Sequence, residues 1–434
     1  MAKIHKKTII HLLVCITMII IVILIGIVFF STRPDHIAKG SVIYIVPVYG
    51  QSLALGEEAN LVTDISTYGE VTKHRVKSEF INERIGYYAD NIYKQRFKSI
   101  FHIEHRHFES SVFGLGECFT SMNLGNHVYL CIFPAGQGET EIARLGKGSK
   151  PYKKFIDEIE MIYKEATSLG AKVIMPAFCW MQGENDLVWN TKDNYPELLR
   201  MFRADVEKDV KEITHQDMPV ECILYQTCCL TLAKDRMITN KYECPQMRVP
   251  ESQRQLILKD RHFNASGPVY PYDVKREYVH IDGAGQKQMG WLQGMTLGRI
   301  LKGEKFIGLQ PKTLVKHGDT LIVNFNVPVP PLTIDTISVA KVNHYGFSVV
   351  NKNDHDILRQ VMIKGNCVFL ICNKPNNSTL KVRYGVCGEY MKSGRKSGPR
   401  GNLRDNQGAL ISCRIGTKQF PLNNWCYMFE LEKK

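Results

Sequence analysis

Short apolar runs that suit buried strands alternate with a strongly helical stretch in the first two thirds of this 434-residue chain. Four runs rich in Val, Ile and aromatic residues occupy residues 41–46, 127–133, 172–178 and 220–226. Residues 152–169 place apolar side chains at helical spacing before a glycine. Strand, helix and strand in succession predict a parallel sheet covered by helices, with functional groups at the carboxyl ends of its strands.

The pattern changes after about residue 305. Further strand-like runs follow, separated by Pro, Gly and Asn turns and with little helical periodicity, at residues 320–327, 367–372, 379–386 and 425–431. We therefore predict an α/β domain over residues 41–304 and a smaller all-β domain over residues 305–434.

The N-terminal segment predicts a membrane anchor. Residues 12–30 are almost entirely apolar, and no charged residue lies between Lys7 and Arg33. This apolar run is long enough to cross a hydrocarbon core. Lysines before the run place the N-terminus in the cytoplasm and the rest of the chain in the periplasm or outside the cell. A cleaved signal peptide is the alternative, but no small-x-small cleavage site follows the run. We expect a single-pass helix at about residues 9–30, within a segment covering residues 1–40.

The charge and cysteine content limit which metals, ligands and partners are expected. The 13 cysteines lack zinc-ligand spacing, so no metal is expected. The net charge of +13 is densest over residues 392–404. That stretch is either a surface for acidic sugars or lipid headgroups, or a solvated Gly-rich loop. Nucleic acid is not expected as a partner, because the chain is predicted to be exported and has no recognisable nucleic-acid-binding module.

Three segments carry side chains suited to nucleophilic catalysis, and the first two of them follow predicted strands. Ser52 follows the first apolar run, where Gly50 allows a sharp turn and small neighbours leave room for a carbonyl to approach. Residues 183–186 read Gly-Glu-Asn-Asp, and Asn185 can donate an amide hydrogen bond to an oxyanion. His280 precedes a predicted helix and can exchange a proton near neutral pH.

A carboxylate is needed to hold the histidine tautomer, and Glu277 lies three residues before His280. The alternative is that a backbone carbonyl orients the imidazole, which would make the site a Ser-His dyad. Asp273 and Asp282 are nearby carboxylates, and both rank below Glu277 because neither has the three-residue spacing.

In this order the three segments resemble the SGNH (GDSL-like) hydrolases, and within them the carbohydrate esterases that include sialate O-acetylesterases and acetylxylan esterases. The resemblance covers roughly residues 41–302. It implies a flavodoxin-like three-layer α/β sandwich with a parallel sheet. It also implies that Ser52 is the nucleophile, His280 the base and Glu277 the acid, although the family usually has aspartate at the last position.

The resemblance further implies an oxyanion hole made by the backbone N–H groups of Ser52 and Gly138 and by the side chain of Asn185. The block around residues 134–142 is similar to the family's glycine block, and Gly136 is its alternative register.

The activity that this resemblance implies is hydrolysis of O-acetyl esters on a carbohydrate, with sialic acid as the first candidate, through an acetyl-serine intermediate and without a cofactor. Gln51, Gln182, Glu184 and Arg144 are the expected substrate contacts, with Arg144 facing a sugar carboxylate. An O-acetyltransferase acting on envelope polysaccharide and a non-catalytic carbohydrate-binding protein are the alternatives. The intact Ser52, Asn185 and His280 argue against the last of these.

Overall fold

The computed structural model describes residues 39–63, 108–122, 124–125, 127–189, 194–228, 242–275, 279–373, 379–389 and 392–433, together with Met18. The described chain is a mixed α/β structure with parallel sheets, followed by a separate all-β region. The α/β part contains the helices α1 (Ser52–Leu55), α2 (Ser111–Ser121), α3 (Lys150–Ser168), α4 (Glu184–Val188), α5 (Tyr195–Thr214), α6 (Arg248–Lys259) and α7 (Gly283–Ile300). Its strands are β1 (Val42–Ile45), β2 (Val48–Gly50), β3 (Val128–Cys131), β4 (Pro134–Gly136), β5 (Lys172–Ile174), β6 (Ala177–Met181), β7 (Glu221–Gln226) and β8 (Phe263–Pro268).

These strands form two parallel sheets that continue one another. One has the order β3-β1-β5 and the other the order β4-β2-β6-β7-β8. Three extended runs, β1–β2, β3–β4 and β5–β6, are each interrupted beside a proline, because Pro has no N–H to donate to a ladder. The proline carbonyls still accept hydrogen bonds from the neighbouring strands: Cys179 N–H donates to Pro47 O at 2.8 Å and Glu221 N–H donates to Pro176 O at 2.9 Å. The carboxyl ends of β2, β4 and β6 therefore meet at one edge.

Helices cover both faces of these sheets because the strand residues that point to either face are apolar. On one face Val46 and Val48 pack in a core with residues of α2 and α7. On the other, Ile45 and Tyr49 pack with α3, α5 and α6. Tyr49 lies within 4.9 Å of the Phe202 ring centre and is fully buried. Two apolar layers thus fix the strand ends that carry the site.

The all-β region contains the strands β9 (Gln310–His317), β10 (Thr320–Asn326), β11 (Thr333–Ile334), β12 (Phe347–Asn351), β13 (Leu358–Lys364), β14 (Cys367–Cys372), β15 (Leu380–Tyr384), β16 (Leu403–Arg404), β17 (Ser412–Ile415), β18 (Lys418–Pro421) and β19 (Phe429–Lys433), with the short helix α8 (Gly394–Ser397). All of its strand pairs are antiparallel. The larger sheets have the orders β13-β14-β10-β9 and β12-β15-β19. In β10 buried and partly exposed residues alternate, as expected for a strand with one face in the core.

Within the described part of the chain, no helix combines the length and the apolar character that crossing a bilayer requires. The predicted anchor at about residues 9–30 falls outside that part, apart from Met18. The exact boundaries predicted between the segments, at residues 40 and 304, stay predictions.

Candidate active site

Ser52 is the first residue of α1 and follows β2 after a single intervening residue. The side chain is only 4% exposed. The strand that delivers it approaches its neighbour very closely: a Cβ on Gly50 would lie 2.0 Å from the carbonyl oxygen of Met181 in β6. Only glycine permits this approach, so the strand-to-helix turn presents Ser52 at the carboxyl edge of the sheet.

Gly138 lies next to the side chain of Ser52. A Cβ on Gly138 would be 3.9 Å from the Ser52 Cβ, and the Thr140 hydroxyl donates to the Gly138 carbonyl at 2.8 Å, which holds this turn in place. Gly136 has a different position, because it ends β4 with φ +122° and packs against the carbonyl oxygen of Gly50. Of the two registers of the glycine block, the one with Gly138 has its backbone beside the serine.

The segment that carries Asn185 is tied to the residue before the serine. The Gln51 Oε1 accepts hydrogen bonds from the Asn185 N–H at 3.3 Å and from the Gly183 N–H at 3.5 Å. Asn185 lies in the first turn of α4, directly after β6. Gln51 is only 3% exposed. Its two hydrogen bonds hold the Asn185 segment against the Ser52 turn.

The other predicted substrate contacts differ in exposure. Gln182 and Glu184 are buried, whereas 71% of the Arg144 side chain is exposed. Burial raises the pKa of the Glu184 carboxyl, and a hydrogen bond from the Tyr225 hydroxyl and the nearby charge of His280 oppose that rise. The role of all four residues in binding substrate stays a prediction.

His280 and Lys275 lie at the two ends of a short loop, called the His280 loop below. The Lys275 N–H donates to the His280 carbonyl at 2.7 Å, which closes this loop. The helix that follows, α7, is fastened to the serine helix, because Gln286 Nε2 donates to the Leu53 carbonyl at 2.9 Å. The helix that follows His280 is therefore held against the helix that Ser52 begins, although Ser52 and His280 are 228 positions apart in the sequence.

A carboxylate contacts His280, and it is Glu58: its Oε2 lies 3.0 Å from the His280 Nδ1. The sequence-based prediction named Glu277, which with residues 276 and 278 lies outside the described part of the chain. No local spacing could have singled out Glu58. The only signal was a pair of adjacent glutamates, five and six residues after the serine.

The two lower-ranked aspartates have other partners. Asp282 is the N-cap of α7, where its Oδ1 accepts a hydrogen bond from the Gly285 N–H at 2.8 Å. Asp273 forms an ion pair with Arg395, which lies in α8 of the all-β region. Both side chains therefore stabilise the loop around His280 rather than contact the imidazole.

The arginines of the basic stretch contribute to packing. Arg400 is 8% exposed and donates to the carbonyls of Ala340 (3.0 Å) and Gly398 (2.8 Å). Arg404 donates to the Asp335 carboxylate at 2.7 Å. Neither a free basic surface nor a simple solvated loop describes these side chains. In the part of the chain that the structure covers, no group of three or more His, Cys, Asp or Glu side chains is arranged to hold a metal ion.

Comparison with known proteins gives a family match over part of the chain. Residues 62–270 match the family model described as carbohydrate esterase, sialic acid-specific acetylesterase. The matched range includes Gly138 and Asn185 but not Ser52 or His280. No match was found among curated protein sequences.

Among solved structures, the chain is similar to a carbohydrate acetylesterase from Xanthomonas citri, with 13% identity, a TM-score of 0.57 and coverage of 90% of this chain and 80% of that one. Weaker similarities are to NanS (13% identity, TM-score 0.38, coverage 62% and 99%) and to a protein from Arabidopsis thaliana (14% identity, TM-score 0.37, coverage 61% and 99%).

The fold and the matched family model together define an enzyme of the carboxylic ester hydrolase class. Within that class, residues 62–270 are similar to the sialic acid-specific acetylesterases, and the family resemblance that the three motifs predicted is confirmed.

Proposed function

We propose that this protein is a serine esterase that removes O-acetyl groups from a carbohydrate, with sialic acid as the first substrate to test. The observation that carries the proposal is that the segments of Gly138, Asn185 and His280 each contact residues 51–58, the segment that bears Ser52. The family description supports the sugar, since it names sialic acid-specific acetylesterases.

In the proposed reaction the Ser52 Oγ attacks the acetyl carbonyl carbon while His280 Nε2 accepts the hydroxyl proton. The carbonyl oxygen becomes an oxyanion, held by the N–H groups of Ser52 and Gly138 and by the Asn185 amide, each donor worth about 3 kcal/mol. The bond to the sugar oxygen breaks, and the sugar hydroxyl leaves with the proton from His280. Water then attacks the acetyl-serine, with His280 as base, and releases acetate.

The buried polar groups around the serine support preorganisation. Gln51 and Gln182 hold the Asn185 segment and the Gly138 turn against one another: Gln182 Nε2 donates to the Thr140 carbonyl at 3.1 Å, and Gln51 accepts from Asn185. We further propose that the enzyme is a single-pass membrane protein whose esterase part faces the periplasm or the exterior. That placement follows from the apolar run at residues 12–30.

The test is release of acetate by a chain starting at residue 39, with an aryl acetate and with O-acetylated sialic acid as substrates. Ser52→Ala should lower turnover of both to the background rate, while its unfolding temperature stays close to that of the unchanged protein. Release of acetate from the aryl acetate alone would support the esterase assignment but exclude O-acetylated sialic acid as the substrate. Undiminished release by the variant would exclude Ser52 as nucleophile, and acetate appearing on an added acceptor sugar would indicate a transferase.

A further inference from the structure

We propose that Glu58 is the carboxylate that positions His280 for catalysis. This inference rests on the proposed function, because it assigns a partner to the base of the same site. The structural observation is direct: Glu58 Oε2 is 3.0 Å from His280 Nδ1. With Nδ1–H donated to the carboxylate, Nε2 is the nitrogen left to accept the serine proton.

Glu58 belongs to the nucleophile segment, not to the histidine loop. α1 ends at Gly56 in the left-handed conformation, and the Glu57 N–H donates to the Ser52 carbonyl at 3.0 Å. The next residue, Glu58, has φ +60°, an unfavourable conformation for a residue with a side chain. Backbone strain of this kind persists where surrounding contacts enforce it, and here it directs the carboxylate at the imidazole.

Those enforcing contacts come from a buried glutamate. The Glu109 N–H donates to the Ala59 carbonyl at 2.9 Å, and the Glu109 carboxylate accepts from the Val62 and Thr63 N–H groups, both at 2.9 Å. Glu109 is fully buried, so these bonds are protected from solvent. The chain that follows Glu58 is therefore held by Glu109, as the chain before it is held by the turn that ends the serine helix.

Partial burial makes the pair effective. The side chains of His280 and Glu58 are 21% and 31% exposed, so the contact lies in a site sheltered from water without being sealed. A carboxylate in this position stabilises the imidazolium that forms when His280 accepts the serine proton. It also fixes the ring orientation while substrate and product exchange.

The test compares Glu58→Gln with Glu277→Gln, and uses Glu160→Gln, on the exposed side of α3, as the control for loss of one carboxylate. We expect Glu58→Gln to lower kcat at least about a hundredfold with little change in KM. We expect the rate at which a fluorophosphonate labels Ser52 to fall in parallel. Glu58→Asp should restore part of the rate, because it keeps the charge and shortens the reach by one methylene.

A spectroscopic readout separates positioning from folding. In protein labelled with ¹⁵N-histidine, the hydrogen-bonded Nδ1 proton of His280 should give a downfield ¹H resonance that Glu58→Gln removes and Glu160→Gln retains. If Glu277→Gln removes that resonance and the activity while Glu58→Gln keeps both, the assignment to Glu58 is wrong although the esterase stands. If Ser52→Ala is fully active, the proposed function itself fails.

Discussion

At the scale of single residues, the segment that carries Glu58 is held by a buried acid, Glu109. Burial raises the pKa of Glu109 to about 7 from an ordinary value of 4.5, and the hydrogen bonds from Thr63 and Val62 oppose that rise only in part. Glu58, the carboxylate proposed to position His280, lies on the loop that Glu109 holds. The pH dependence of this loop is therefore open to measurement.

The first prediction concerns Glu109→Gln. Because the folded protein binds the Glu109 proton more tightly than the unfolded chain does, folding is favoured below pH 4.5 and loses that advantage as pH rises towards 7. Relative to the Gln variant, the unchanged protein should lose about 3 kcal/mol of unfolding free energy over this range. Urea unfolding at several pH values measures the difference, and a difference that does not change with pH would refute it.

At the scale of elements, the strand-to-helix turn requires glycine at Gly50. A methyl group there would lie 2.0 Å from the Met181 carbonyl oxygen, and backbone atoms of two paired strands cannot both withdraw. Gly146 provides a matched control, because a Cβ at that position has no atom within 4 Å.

We predict that Gly50→Ala loses at least about 2 kcal/mol of stability, from overpacking, and most of its esterase activity. Gly146→Ala should stay within about 0.5 kcal/mol of the unchanged protein. Thermal unfolding and acetate release on the same preparations test both statements. Equal behaviour of the two variants would mean that β2 and β6 do not approach as closely as described.

The elements themselves were largely readable from the sequence. The run predicted at residues 220–226 is the strand Glu221–Gln226, and the helix predicted at 152–169 is Lys150–Ser168. The run at 172–178 is instead split into Lys172–Ile174 and Ala177–Met181, because Pro176 cannot donate to the ladder. Apolar periodicity reports which face is buried, but it does not report where a hydrogen-bond ladder is interrupted.

The site was predictable only where its parts are local. Ser52 and Asn185 could be found because each follows a strand in a recognisable segment. The contact between Glu58 and His280 joins residues 222 positions apart, and no spacing rule encodes such a pair. Likewise, the basic composition of residues 392–404 does not tell that Arg400 is 8% exposed and bound to carbonyls. Pairings of this kind depend on how the two regions pack.

At the scale of the whole molecule, the all-β region is joined to the α/β part by hydrogen bonds that are buried or partly buried. The Tyr427 hydroxyl accepts from the Gly267 N–H at 2.8 Å, and Tyr270 donates to the Cys426 carbonyl at 2.8 Å. Gln226 in β7 both donates to and accepts from the backbone of Met428. Arg395 of the same region pairs with Asp273, at the start of the His280 loop.

We therefore predict that the two regions unfold together. Circular dichroism, tryptophan fluorescence and loss of esterase activity should give one coincident thermal transition. Tyr427→Phe should lower its midpoint without splitting it, because the Gly267 N–H loses a buried acceptor, at a cost of about 1–3 kcal/mol. Tyr270→Phe, which removes a donor at the same junction, should act in the same direction. Activity lost at a lower temperature than the fluorescence change, in either variant, would show instead that the His280 loop detaches before the regions separate.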